Sequence, residues 1–141
     1  MAHGRAEVAR AVLEGVAFTL RMILDAFLEQ GAAITAMRLI GGGARSALWR
    51  QILADVYGLP ILRPALLAEA TSLGAAIAGG VGVGLFPGFQ VAHEFVTVEE
   101  AEQPDPAQSR RYAPLYDLFQ RTYTVLEPLF EQLATLDTTT D

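Results

Sequence analysis

Apolar residues recur every three or four positions from Arg5 to Gln30: Val8, Val12, Val16, Leu20, Ile23 and Phe27. That spacing predicts an amphipathic helix, and the Ala and Leu around it favour one. Gly31 is placed to stop it at C′. Gly15 either weakens the helix by about 1 kcal/mol relative to Ala or marks a close packing contact; the pattern fits both. Ile34 to Ile40 then reads as a short strand that runs into Gly41-Gly42-Gly43. A second helix is predicted from Ser46 to Tyr57, with Leu48, Ile52, Leu53 and Val56 buried, Ser46 as N-cap and Gly58 at C′. Pro60 to Arg63 reads as a second strand, at a sheet edge because prolines flank it.

A third helix is predicted from Thr71 to Ala78. Its face Gly74, Ala75, Ala76 is so small that something is expected to approach it closely. Gly79, Gly80, Gly82 and Gly84 should break it, and Pro87-Gly88 marks a turn. Val91 to Ala101 fits a weak strand or an extended connection. After the turn Pro104-Asp105-Pro106 comes a last helix, Ala107 to Leu136. Its stripe is Tyr112, Leu115, Tyr116, Phe119, Tyr123, Leu126, Phe130 and Leu133, with Pro114 and Pro128 expected to end or kink it. Residues 138–141 read as a polar tail. Strands alternating with helices imply a parallel pair covered by helices, an α/β fold. Two short strands make a poor sheet, because three or more are normally needed for independent stability.

Composition sharpens that impression. Of 141 residues, 52% are hydrophobic and only 18% are charged, against about a quarter in an ordinary soluble domain. Part of this surface is therefore expected to be covered. Net charge is −6 with no basic cluster, so neither nucleic acid nor an anionic membrane is an expected partner. There is no Cys, hence no disulfide, thiolate nucleophile or Cys zinc site, and the two histidines, His3 and His93, are too far apart for a helical metal pair. Every basic residue is Arg, which excludes a Walker-type lysine and Schiff-base chemistry. No apolar run approaches the length of a membrane span, no secretory core opens the chain, and cytoplasm is the expected location.

The main chemical signal is Leu39-Ile40-Gly41-Gly42-Gly43-Ala44-Arg45-Ser46. Glycines let another group approach the backbone, and the helix behind them aims unpaired N–H groups and a positive dipole end at the loop. Such a site takes an anion, most often phosphate. A plain tight turn has the same pattern. Arg45 opposes the helix dipole unless an anion is bound, and otherwise extends into solvent. Ser46 is a cap whose hydroxyl could also meet a ligand, and Trp49 belongs to the core. Gly80-Val81-Gly82-Val83-Gly84 follows a helix rather than a strand, so it reads as a turn. Glu14 and Glu69 are acids among apolar or small neighbours; either could have a functional role, and a solvated or N–H-bonded carboxylate is the commoner case. No general base is evident.

Several stretches together resemble the C-terminal part of the FGGY carbohydrate kinases, nearest to the members that phosphorylate xylulose. They are Arg10 to Phe18, then Gly41-Gly42-Gly43-Ala44-Arg45-Ser46 continuing through Trp49-Arg50-Gln51 to Ala54-Asp55-Val56-Tyr57-Gly58, then Glu69 to Ala76, Pro104-Asp105-Pro106 and the tyrosine-spaced last helix. The resemblance implies a partial ribonuclease-H-like (actin-like) ATPase domain: residues 1–137 an incomplete nucleotide-binding lobe, residues 138–141 its tail. It implies MgATP as phosphoryl donor to a small sugar, D-xylulose foremost, with glycerol, ribulose or gluconate as alternatives. Gly42 and Gly43 would lie against ATP, Gly41 and Ala44 would shape the loop, and Ser46 would stand near the adenosine. Glu69 and Gly74 would be structural. The family's Asp-x-Gly-Thr-like phosphate segment and its sugar-activating aspartate have no counterpart here, so the resemblance implies a fragment that is inactive alone. A non-catalytic module that self-associates through an uncovered sheet edge and helix faces is the competing class.

Overall fold

The computed structural model describes residues 4–136; the expected tail at 138–141 and His3 lie outside them. The order is α1 (Arg5–Glu29), β1 (Met37–Arg38), a 3-10 turn (Gly42–Arg45), α2 (Ala47–Tyr57), β2 (Ile61–Pro64), α3 (Ala70–Gly82), a second 3-10 turn (Phe89–Val91), α4 (Ala92–Phe95), β3 (Val98–Glu102) and α5 (Pro106–Leu136). The sheet has three strands in the order β1-β2-β3. β1 and β2 are parallel, Met37 opposite Ile61 and Arg38 opposite Leu62. β3 returns antiparallel along β2.

The ends of α1 follow from single residues. Gly4 N–H donates to the Glu7 carboxylate at 2.8 Å, an acid placed where the helix dipole favours it. At the other end Gly31 has φ +84, and the N–H groups of Gly31 and Ala32 return to the carbonyls of Leu28 and Phe27, the paired bonds of a Schellman stop. Ser46 caps α2 by accepting Trp49 N–H at 3.2 Å, and Gly58 closes it with φ +67. Asp105 opens α5: its Oδ1 accepts Ala107 N–H at 2.7 Å, with Pro106 at the first helical position, where a missing N–H costs nothing.

α2 is the hub. Ile52, Leu53 and, from β2, Ile61 are fully buried, and burying each such side chain is worth about 1.5–3 kcal/mol. Ala17, Phe18 and Leu24 of α1 and Tyr112 of α5 complete the core. Phe18 meets the rings of Tyr112, Tyr116 and Phe119 at centroid separations of 5.5–5.9 Å. Polar ties reinforce the packing. Arg21 donates to the last carbonyls of α2, Val56 at 2.9 Å and Tyr57 at 2.7 Å, and a cation belongs at that dipole end. Asp55, buried, accepts from Gln51 and from Asp105 N–H, joining α2 to the start of α5.

Several expectations are corrected. β2 is the central strand, not an edge; its prolines are tolerated because Pro60 precedes it and Pro64 ends it at an irregularity in register. The segment after Pro87 divides into helical turns and β3, so the sheet is mixed rather than purely parallel. α3 runs through Gly79 and Gly80 to Gly82. A Cβ on Gly80 would come within 2.5 Å of the Phe86 ring, so this glycine admits the returning chain instead of breaking the helix. Gly74, Ala75 and Ala76 are exposed, and nothing among the described residues stands within 4 Å of a Cβ at Gly74. Gly15 is equally uncrowded, which leaves it a tolerated weakness. Leu48, expected in the core, is half exposed. α5 continues through Pro114 and Pro128.

Candidate functional site

The glycine loop leaves the sheet where β1 ends; Leu39 N–H still pairs with the Leu62 carbonyl at 2.9 Å. Gly41 turns the chain with φ +78 and ψ −168, an extended positive-φ conformation open essentially only to glycine and costing about 1–3 kcal/mol for a residue with a Cβ. The 3-10 turn follows, closed by Ala44 N–H to Gly41 at 3.2 Å and Ser46 N–H to Gly43 at 3.1 Å. The first amides of such a turn, on Gly42 and Gly43, have no acceptor within it. Both residues are exposed, and a Cβ on Gly42 would meet nothing within 4 Å. Gly43 lies under the Trp49 indole, whose Cδ1 would be 3.1 Å from an added Cβ. Trp49 packs on the core as expected. Ala44 is fully buried, so it shapes the loop and offers no side chain to a ligand. Ser46 is exposed and already accepts from Trp49 N–H; its own hydroxyl proton remains available as a donor. Arg45 is exposed beside them.

What holds this loop is Arg50, one turn into α2 and only 4% exposed. Its Nη1 donates to the Ala44 carbonyl at 2.6 Å. Its Nε and Nη2 grip Glu102 at 2.9 and 2.8 Å, and Nη2 also reaches Glu100. The hydrogen bond to Glu102 raises the Arg50 pKa above its ordinary value, against the opposing effect of burial. Arg63 of β2 shares Glu100 with Arg50 and also pairs Glu99, each at 2.8 Å. A buried guanidinium with both faces of its fork occupied is the geometry in which such a pair holds a structure firmly. The motif reading passed over Arg50 as an anchor. The available signal was position: Arg50 stands on the stripe with Leu53, Ala54 and Tyr57, where a charge must be paired, and the acidic run Glu99-Glu100-Ala101-Glu102 supplies the pair.

An apolar cavity of about 200 Å³ begins at Ile40, the residue before the loop. Pro64 and Leu66 form one wall, Leu73, Gly74 and Ile77 of α3 the other, and Arg38 lies at its polar side. The remaining sequence candidates lie elsewhere. Glu14 accepts from Arg10 at 2.8 Å and from the Tyr112 hydroxyl at 2.7 Å, tying α1 to α5; burial and the bond to Glu14 raise the Tyr112 pKa. Glu69 is exposed at the start of α3. Among the described residues no three His, Asp or Glu side chains converge as metal ligands, and no helix is long and apolar enough to cross a membrane.

A sequence profile of the FGGY family of carbohydrate kinases, C-terminal domain, matches residues 1–83, more than half of the chain. The chain belongs to the FGGY family. A xylulose kinase of Staphylococcus epidermidis is 32% identical over 131 residues, covering 92% of this chain and 25% of that protein. A glycerol kinase of Gloeobacter violaceus is 43% identical over 84 residues, 59% of this chain and 17% of its own length. Among solved structures, xylulose kinase from Rhodospirillum rubrum superposes with a TM-score of 0.73 at 32% identity, over 93% of this chain and 27% of that one. The fold is that of the FGGY kinases, actin-like and helix-rich with a small sheet. The chain spans about a quarter of the length of the curated FGGY relatives it matches.

Proposed function

We propose that this chain is the nucleotide-positioning part of an ATP-dependent kinase that phosphorylates a small sugar, D-xylulose foremost. The observation that carries the reading is the exposed Gly41–Gly43 bend, whose Gly42 and Gly43 amides have no acceptor within the turn and whose next carbonyl, Ala44, is held by buried Arg50. Phosphoryl transfer needs little covalent help from the protein. It needs the polyphosphate held in line and its charge met by fixed donors. The amides of Gly42 and Gly43 and the N-terminus of α2 are such donors, and the Ser46 hydroxyl adds one more. The apolar cavity that starts at Ile40 is the seat we assign to the nucleotide's flat base. Mg²⁺, when bound with ATP, would neutralise phosphate charge; the described residues offer no ligand cluster for it, and no step here runs through it. The family's sugar-activating aspartate has no counterpart in this sequence, so the chain alone is expected to be inactive toward D-xylulose.

Titration of the ¹⁵N-labelled chain with a non-hydrolysable ATP analogue tests this. The amide shifts should cluster at residues 41–48. Gly42→Val, for which there is room in the fold, should weaken binding on the order of tenfold, about 1.4 kcal/mol. Shifts confined to other regions, or an indifferent Gly42→Val, would overturn the assignment. The sugar rests on the names of the relatives. Glycerol, ribulose and gluconate remain its competitors, and a substrate panel on a chain of the relatives' full length decides among them.

A further inference from the structure

Arg45 is the residue of the glycine bend that the nucleotide reading leaves unused. Gly42 and Arg45 are the first and last residues of the 3-10 turn. Residues three apart in such a turn eclipse one another, so the Arg45 side chain leaves the turn on the same side as Gly42. That side is open: both residues are exposed, and a Cβ on Gly42 would meet nothing within 4 Å. The other two positions of the turn are taken. Gly43 lies under the Trp49 indole and Ala44 is fully buried. A guanidinium, with its five donors and no acceptor, thus shares one open face with the residue that offers the turn's first unpaired amide.

The acids that β3 brings to this region are already engaged, Glu102 and Glu100 by Arg50, Glu100 and Glu99 by Arg63. Arg45 has no ion-pair partner among the described residues. It directly precedes Ser46, the N-cap of α2, and the positive end of a helix dipole disfavours a cation unless an anion lies beside both. The chain as a whole carries −6, a charge that repels a polyphosphate, and a cation fixed at the bend offsets that repulsion locally. From the shared face, the missing counter-charge and the dipole, we infer that the Arg45 guanidinium meets the polyphosphate on the Gly42 side and makes the bend prefer ATP to ADP and ADP to AMP. The inference rests on the nucleotide reading and adds a division of labour to it: the glycine amides fix where the phosphates lie, and Arg45 sets how strongly each further phosphate is favoured.

The test is a ladder of ligands without Mg²⁺: adenosine, AMP, ADP and a non-hydrolysable ATP analogue, each titrated into the ¹⁵N-labelled chain. The parent is compared with Arg45→Gln and with Arg110→Gln, an exposed arginine of α5 whose loss changes net charge by the same amount. Affinity of the parent should rise with each phosphate. Arg45→Gln should flatten that rise, binding the ATP analogue about fivefold more weakly and adenosine within about twofold of the parent. Arg110→Gln should leave the ladder as it is. The melting temperature of ligand-free Arg45→Gln should not fall, because the side chain has no ion pair to lose. A parent that shows no nucleotide shifts at residues 41–48 would bring down the nucleotide reading and this inference together. With binding at those residues established, an unchanged ladder in Arg45→Gln, a loss as large for adenosine as for the ATP analogue, the same flattening in Arg110→Gln, or a lowered melting temperature would each overturn the role of Arg45 alone.

Discussion

α1 and α2 are both amphipathic by sequence, and the structure treats them in opposite ways. α2, eleven residues long, buries seven of them, including Arg50 and Asp55. α1, twenty-five residues long, buries Ala17, Phe18 and Leu24. Its conspicuous row of Val8, Val12, Val16, Leu20, Ile23 and Phe27 faces outward, Val12 at 62% exposure. The core is instead met by a plainer row, Leu13, Ala17, Phe18 and Leu24, with Arg21 beside it. A hydrophobic stripe thus identifies a helix without identifying what the stripe touches. Two apolar faces on one helix mean two neighbours, and the described residues supply one of them.

The largest effect expected from this contrast is at Leu53. Leu53→Ala should destabilise the chain by about 2–5 kcal/mol, as for a fully buried leucine whose site cannot collapse, while Val12→Ala should change stability by less than about 0.5 kcal/mol. Urea unfolding of both variants makes the comparison. A large cost at Val12 would mean that the outer face of α1 is covered in solution.

Next comes Arg50. Arg50→Met should cost about 3 kcal/mol, because it leaves Glu102 and the Ala44 carbonyl without their buried partner. Hydrogen exchange should quicken at Ala44 and Ser46 before it does at Leu53. If exchange rises evenly through α2, Arg50 supports the helix and not the loop.

The smallest effect is confined to alkali. Burial raises Tyr57, at the end of α2, from 10.0 to about 12. The unfolded phenol ionises first, so the stability this burial confers is intact below pH 10 and is lost as pH rises toward 12. Thermal melts of Tyr57→Phe should therefore fall less steeply than the parent's across that window. Equal slopes would assign the loss to Tyr112 and Tyr116, whose ionisation burial also opposes.

Local signals in the sequence were legible where one residue decides the outcome. Ser46, Gly58 and Gly31 each do what their chemistry requires at a helix end, and Gly41 adopts the positive φ that the loop needs. The position of the glycine loop between β1 and α2 follows from the same reasoning. Features set by distant partners were not legible. Gly80 looked like a helix breaker because its reason for being glycine, the Phe86 ring, arrives from a turn that propensity does not describe. Pro64 looked like an edge marker because the weak strand signal in Val91 to Ala101 does not say which strand it pairs with, and β3 pairs with β2. Arg50 was hidden for the same cause: its acids are fifty residues away, and a helix with one arginine looks solvated until its stripe is drawn.

That separation along the chain bears on how the piece comes into being. The family match ends at residue 83, while the glutamates that moor the glycine bend stand at 100 and 102. During synthesis the bend emerges long before the acids that complete the Arg50 network, which β3 brings to it only by pairing with β2. A nick in the connecting stretch between α3 and β3 would leave every glycine in place and set the bend adrift.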